Sequence, residues 1–381
     1  MKFNTQEELQ QQRKKIRTLI ENEFAPYAQA FDQQQWIPRS YILLMAENGF
    51  LGANVQKKYG GSEWTSDAIR ILHEELGRCS CSLENLVTVF GMSTKAIQYF
   101  GSAEQKQSWL KKIIFGELIV SVAFTEPDIG SDLQQIKTTI TEEAQYYRMN
   151  GSKKYITLGQ IADLFLVLAQ LDGQHTVILV EKQTKGLEIK PIKDCLGFRA
   201  NMLAEIHFDN CMIPKVNQIG LVGAGLTQVC QIALDEARFT TSSGCVGLGQ
   251  ACLDAVFQYV NKRHQGGVLL KDHQLIQKML TEMIVELHGS RSLCKEVAQA
   301  RDSGRYESVE YALIAKYAAS KMAIKLANCA MQIFAAAGLT RDYPIERYYR
   351  DAKVMEIIEG TSQMYEINIP KAYSNAENIL W

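Results

Sequence analysis

Between Pro214 and Pro344 the chain has no proline, a gap of about 130 residues in a sequence of 381 that contains only seven. The commonest interior helix breaker is therefore missing where apolar residues step as Leu275, Met279, Met283 and Leu287, and long packed helices are predicted there. An excess of either charge is missing too. Lys and Arg number 41 against 42 Asp and Glu, a net charge of −1, and no Lys/Arg cluster is interleaved with aromatics, so neither nucleic acid nor an anionic membrane is an expected partner. Apolar runs such as Leu164 to Leu168 and Ile333 to Ala337 fall well short of the roughly 20 residues that cross a bilayer, and no membrane segment is expected. The nine cysteines are odd in number and only Cys79 and Cys81 stand close together. That excludes a disulfide framework and paired zinc knuckles, leaving reduced, mostly buried thiols and no metal site. The first residues, including Glu7, Glu8, Lys14 and Lys15, lack the apolar core and small-residue cleavage site of a secretory signal, and a cytoplasmic address is the expectation.

What remains is a globular composition, 46% hydrophobic and 22% charged, in a chain too long for one core. Residues 1–118 carry apolar side chains at helical spacing, as in Ile69, Leu72 and Leu76. Residues 119–226 change period: Asn150-Gly151 reads as a hairpin turn, and the runs Phe165 to Leu168 and Val177 to Val180 flank Asp172-Gly173. Residues 227–381 return to helix. The order is a helical bundle, a small β-barrel-like unit and a second helical bundle, mainly α with a central β domain. A doubly wound fold would alternate strand and helix throughout. Gly220, Gly223 and Gly225 lack the strand that precedes a dinucleotide fingerprint and read as a turn.

Several clusters bear on chemistry. Phe124-Thr125-Glu126-Pro127-Asp128-Ile129-Gly130-Ser131-Asp132 combines Pro and Gly, which make a turn, with hydroxyl and backbone donors that suit a ring carbonyl or a phosphate. Its plain alternative is a helix-to-strand connection. Asn150-Gly151-Ser152-Lys153-Lys154-Tyr155-Ile156-Thr157 follows, then Leu196-Gly197-Phe198-Arg199, Ile206-His207-Phe208-Asp209, Leu234-Asp235-Glu236-Ala237-Arg238, and Gln332-Ile333-Phe334-Ala335-Ala336-Ala337-Gly338. Last come Arg350-Asp351-Ala352-Lys353 and Ile357-Ile358-Glu359-Gly360-Thr361-Ser362-Gln363. On capping preferences alone, Glu359-Gly360 is a helix end. His207, in an alternating strand with no carboxylate motif beside it, reads as a surface or interface residue.

In this order the clusters resemble the acyl-CoA dehydrogenase family, over essentially the whole chain. The resemblance implies FAD, with Phe124, Thr125, Gly130, Ser131, Tyr155 and Thr157 around the flavin and pyrophosphate, and Thr361 with Gln363 toward the ribose or adenine. Tyr155 stands where the family usually has tryptophan. It implies Glu359 as the base, with Glu236 as a distant rival, and Ser131, Arg238, Ile358 and Gly360 as substrate contacts. Arg263, Gln332 and Ala336 are implied to serve the FAD of a neighbouring subunit in a homodimer or homotetramer. There Gly266 replaces a phenylalanine, while Ala335 and Ala336 replace two glycines, a change that costs about 1 kcal/mol or more wherever the backbone is left-handed.

The activity implied is removal of the α and β hydrogens of an acyl thioester, with an electron-transfer flavoprotein or oxygen as acceptor. The stretch from Arg350 to Ser362, with the alanines, resembles most the branch acting on groups tethered to an acyl carrier protein in polyketide and nonribosomal-peptide pathways, of hydroxymalonyl or methoxymalonyl type. Two alternatives stay open. One is a short- or branched-chain acyl-CoA dehydrogenase of catabolism; the other is a relative that has lost FAD and only binds acyl thioesters. A flavin monooxygenase on this fold is disfavoured by the Glu-Gly-Thr segment.

Overall fold

The computed structural model describes residues 6–374. Its first part is helical: α1 (Gln6–Glu23), α2 (Ala28–Gln34), α3 (Arg39–Glu47), α4 (Ser66–Cys79), α5 (Cys81–Phe100), α6 (Ala103–Gln105) and α7 (Lys111–Ile114), the last two joined through Lys106–Leu110. Local chemistry sets the starts. The Thr65 hydroxyl accepts from the Ala68 N–H at the head of α4, and Ser102 with Gln105 forms a reciprocal capping box on α6.

The middle part is one sheet of β1 (Val120–Ala123), β2 (Thr139–Glu143), β3 (Tyr146–Ile156), β4 (Leu164–Leu171), β5 (Gln174–Glu181), β6 (Leu187–Pro191), β7 (Ala204–Pro214) and β8 (Gln218–Ile219). Its order is β6-β7-β3-β2-β4-β5-β8, with β1 parallel to β4. β4 and β5 pair across Asp172-Gly173, both left-handed at φ 49° and 76°, as a two-residue hairpin requires. Asn150-Gly151 departs from the expectation of a turn. β3 runs unbroken through it, and the hairpin turn comes earlier, at Ala144-Gln145, with Ala144 at φ 46°. Gly151 sits instead at a register shift against β7, where a Cβ would lie 2.7 Å from the Thr138 Cα; the glycine admits a close backbone approach within a strand.

The remaining residues form α8 (Gln231–Val260), the ribbon β9 (His264–Gln265) and β10 (Val268–Leu269), α9 (Gln274–Asp302), α10 (Ser308–Phe334), α11 (Ile345–Met355) and α12 (Ser362–Ser374). α8 packs against α4, α5, α9 and α10, which explains why small and apolar residues surround it on all sides. The stretch Ser308–Leu339 is long and apolar enough to cross a bilayer by length and composition, a point that uninterrupted apolar runs do not reveal. Here its apolar surface is used in packing α10 against α8, α9 and α11.

Backbones come close where α4 crosses α8. A Cβ on Gly247 would lie 2.0 Å from the Glu74 carbonyl oxygen, and one on Gly77 would lie 2.3 Å from that of Gly244. This crossing binds the first helical domain to the last. Gly247→Ala is expected to lower stability by about 1–3 kcal/mol by forcing the helices apart. Gly289→Ala on α9, with nothing within 4 Å of the added methyl, should instead stabilise by about 0.5–1 kcal/mol. Denaturant melts of the two variants check the contrast.

Candidate active site

A cleft of about 1200 Å³ lies between the sheet and the two helical parts. The sheet side contributes Phe124, Thr125, Gly130, Ser131, Tyr155 and Thr157; the helical side contributes Arg238, Ile358, Glu359, Gly360 and Thr361. Residues separated by more than two hundred positions thus share one wall-to-wall space. The sequence reading missed the α5 side, where Asn85, Val89 and Met92 line the cleft. Only Asn85 leaves a signal, as an amide within an apolar helix.

The loop after β1 is held from inside. Glu126 accepts from the backbone N–H groups of Lys137 (2.7 Å) and Thr138 (2.9 Å) and pairs with Lys153 (2.9 Å), whose ammonium also donates to the Phe124 carbonyl (3.0 Å). Burial drives the Lys153 ammonium down to about 8, while Lys153 and the Thr138 and Lys137 donors outweigh desolvation and hold Glu126 low. Glu126 is therefore a brace, which leaves Thr125, Gly130 and Ser131 to face the cleft. Thr157 is fixed similarly: its carbonyl accepts from Ser121, and its hydroxyl lies 3.4 Å from Asn85 Oδ1, which also accepts from Asn201 (2.7 Å).

Glu359 occupies the turn between α11 and α12 with φ 58°, followed by Gly360 at φ 109°. A non-glycine residue in left-handed backbone is strained unless its surroundings hold it there. Two groups do so. The Tyr365 hydroxyl donates to the Glu359 carbonyl (2.8 Å), and the fully buried Lys316 donates to the carbonyls of Met355 (2.8 Å) and Gly360 (3.3 Å). Burial pushes the Glu359 carboxyl up to about 7, against the pull of Lys316 and Arg238 and with help from the negative Glu84. It is a carboxyl poised near neutrality.

Glu236 has the opposite surroundings. It lies outside the cleft lining and is pinned by Lys95 (2.6 Å) and Arg301 (2.8 Å), which overcome its desolvation and hold it down at about 2. A carboxylate so committed is a poor proton acceptor. Arg301 also takes Asp235, so the i,i+3 partner that would have made Arg238 an ordinary helix charge is engaged elsewhere. Arg238 lines the cleft, and its buried Nε has no partner among the described residues.

Other residues lie outside this wall or need closer placement. Gln363 is exposed and absent from the wall of this cleft, because Met364, Tyr365 and Asn368 share the inner face of α12, just after Thr361, and Gln363 falls off that stripe. Arg263, Gln332 and Ala336, implied to serve the FAD of a neighbouring subunit, lie exposed near the ends of α8 and α10, outside this cleft. Of the two alanines, Ala335 carries the conformational cost, at φ 52° and ψ −134°. Tyr155 is 56% exposed on the cleft wall, not a core residue. His207 does have a carboxylate beside it, Glu205 at 2.9 Å, since residues two apart on a strand share a face. That pair lies away from the cleft.

Comparisons agree with this architecture. The family described as acyl-CoA dehydrogenase matches in three parts, the N-terminal domain over residues 6–117, the middle domain over 121–211 and the C-terminal domain over 223–373. A glutaryl-CoA dehydrogenase of Desulfococcus multivorans is 32% identical over 97% of each chain. The short-chain specific acyl-CoA dehydrogenase of Clostridium acetobutylicum is 31% identical over 97% of this chain and 98% of its own. Among solved structures, a chain from that of the electron transferring flavoprotein of Acidaminococcus fermentans superposes with a TM-score of 0.94 at 30% identity, covering 99% of this chain and 100% of that one. A glutaryl-CoA dehydrogenase of Mycobacterium smegmatis in complex with FADH2 gives 0.93 at 26%, covering 99% and 96%. FkbI, described as serving biosynthesis of the methoxymalonyl extender unit of a polyketide immunosuppressant, gives 0.87 at 27%, covering 96% and 99%.

The chain belongs to the acyl-CoA dehydrogenase family, a family of FAD-dependent oxidoreductases, and its cofactor is FAD. The site fits that group: a deep cleft, hydroxyl and backbone donors on its sheet wall, and a buried guanidinium nitrogen left unpaired.

Glu236→Gln is expected to cost about 3–5 kcal/mol by leaving Lys95 without its anion and Arg301 with Asp235 alone. Because Glu236 is held below its ordinary value, its ion pairs stabilise the fold above the unfolded carboxylate range, near 4.5, and that stability is lost as pH falls toward about 2. Thermal melts across that acid window should show the wild type losing stability that Glu236→Gln never had. Ala335→Gly should raise stability by about 1 kcal/mol through relief of the left-handed alanine, again read by melting.

Proposed function

We propose that the protein removes hydrogens from the α and β carbons of a short acyl-CoA, with Glu359 as the base. The observation that carries this reading is a cleft-wall carboxyl, raised to about 7 by burial, on a turn whose carbonyls are held by Lys316 and Tyr365. A thioester makes its α C–H only weakly acidic, so the base must be ionised, desolvated and fixed within hydrogen-bonding reach. FAD, when bound, supplies acceptance of hydride from Cβ.

Thr125 and Thr157 hold the ring system, with Phe124 and Tyr155 against it. Gly130 and Ser131 serve the pyrophosphate and the thioester side, and Thr361 serves the ribose. Arg238 steadies the tail of the thioester, Ile358 and Gly360 flank the acyl group, and the Glu359 backbone N–H polarises the thioester oxygen. Arg263, Gln332 and Ala336 serve the FAD of a second copy in a homo-oligomer. An electron-transfer flavoprotein is the proposed acceptor, with oxygen as the alternative, and the cytoplasm is the proposed location.

Val89, Met92, Leu234 and Leu313 give the cleft an apolar portion, and among its described lining residues Arg238 is the only Lys or Arg. An uncharged acyl chain suits that wall better than a dicarboxylic one. The second reading, a carrier-protein tether, is favoured by Ala335 and Ala336 together with the likeness to FkbI.

Anaerobic titration of the yellow protein with acyl-CoA and acyl-carrier-protein panels tests both tethers. Bleaching of the flavin band by CoA esters alone supports the first and sinks the second. Glu359→Gln should retain FAD and slow bleaching by at least ~10²-fold; undiminished bleaching places the base elsewhere. Because the base must be ionised, kcat/KM is expected to rise with pH through about 7, the value to which burial moves Glu359.

A further inference from the structure

We infer that Lys316 is a positioning residue for Glu359: its ammonium holds the carbonyls on either side of the turn that presents the carboxylate and sets a positive charge against it from α10. The inference rests on the reading of Glu359 as the base and adds to it a residue that no motif marks.

Lys316 lies in the apolar register of α10, with Ala312, Ala315, Ala319 and Ala323, all buried. A side chain of that length pointing inward among alanines fills space that a methionine would fill more cheaply. Burying an ammonium is unfavourable unless its protons find acceptors, and among the described residues no carboxylate stands within ion-pair distance of it. Its printed acceptors are backbone oxygens: Met355 O, where α11 ends, and Gly360 O, just past Glu359. The span between those two carbonyls is the segment that carries the base. Tyr365, whose ring lies 5.3 Å from the ammonium, takes the carbonyl of Glu359 itself. The turn is thus gripped at three carbonyls by two side chains from different helices.

Charge accompanies geometry. The groups facing the Glu359 carboxyl are Lys316 from α10, Arg238 from α8, Glu84 from α5 and Tyr365 from α12. Two cations oppose one anion. Those facing Lys316 are Cys245 and Arg238 on α8 and the two glutamates of its own turn, Glu356 and Glu359. Burial lowers the ammonium and raises the carboxyl, while the charge of each favours the ionised form of the other, so Lys316 opposes the protonation of Glu359 that burial promotes. Removing the positive charge leaves burial and Glu84 less opposed, and the carboxyl must then hold its proton to higher pH.

A purely structural lysine would cap the end of α11 and do nothing else. The two roles separate in the pH profile. The FAD-loaded enzyme and its Lys316→Met, Lys316→Gln and Lys316→Arg variants are compared by the acid limb of kcat/KM, alongside flavin content and melting temperature. Lys316→Gln keeps a donor for the carbonyls without the charge, which covers the case in which the methionine variant fails to fold. Both neutral variants are expected to move the acid-limb midpoint upward by on the order of one pH unit, with Lys316→Arg retaining the wild-type midpoint. A wild-type midpoint in a folded neutral variant, or a displaced one in Lys316→Arg, overturns the inference. Glu359→Gln, run in parallel, tests the base by itself: activity surviving there removes the reading of Glu359, whereas activity lost there with midpoints unmoved in the lysine variants removes only Lys316.

Discussion

A carboxylate becomes a strong base at neutral pH where water is withdrawn from it without a partner taking its place. In this protein the constraint falls on a few residues of backbone. Glu359 and Gly360 both have positive φ, and a glutamate keeps such a conformation only when its neighbours over-determine it. Lys316 and Tyr365 do so through carbonyls, which leaves the carboxyl itself unspent. The cleft, the apolar wall and the braced loop opposite all matter because they complete the surroundings of that one side chain.

Two glutamates show how completely surroundings decide role. Glu236 and Glu359 are both largely removed from water, yet one is held near 2 and the other near 7. The difference is contact: Glu236 has an ammonium and a guanidinium at hydrogen-bond distance, whereas the cations that influence Glu359 act on it without such a bond. A similar division separates Glu126 from its neighbours in the loop, for it is consumed by Lys153 and two backbone donors while Thr125 and Ser131 remain available. Residues next to one another in a motif thus divide into those that hold the loop and those that face the cleft.

The motif strings were legible, but their internal labour was not. Arg350-Asp351 and Leu196-Gly197-Phe198 read as two separate signatures. In three dimensions they are one contact: Asp351 accepts the Phe198 N–H (2.8 Å), Arg350 donates to the Leu196 carbonyl (2.9 Å), and a Cβ on Gly197 would collide with the Arg350 carbonyl oxygen at 2.5 Å. Arg350 also reaches Asp32 on α2, so the pair fastens all three parts of the chain and carries no chemistry. Asn150-Gly151 misled because asparagine and glycine favour hairpin turns, while a glycine inside a strand answers to whatever backbone lies across from it. Gln363 shows a related point, since adjacency in a motif says nothing about which helix face a side chain occupies. Lys316 could have been noticed as a lone cation in an apolar helical stripe, although nothing in the stripe says what it touches.

By itself the amino-acid order determined the helix–sheet–helix plan, the family and most of the residues that line the cleft from the sheet side, because these depend on period, on proline and glycine placement, and on local turns. Tertiary structure alone decided that Glu236 is a structural anion and Glu359 a poised one, that Arg238 is left with an unpaired nitrogen, and that Ala335 bears the strain. Those outcomes depend on which distant groups come within hydrogen-bonding range and which water is excluded. Both are properties of a folded interior, in which Lys95, Arg301, Lys316 and Tyr365 reach their partners from other helices.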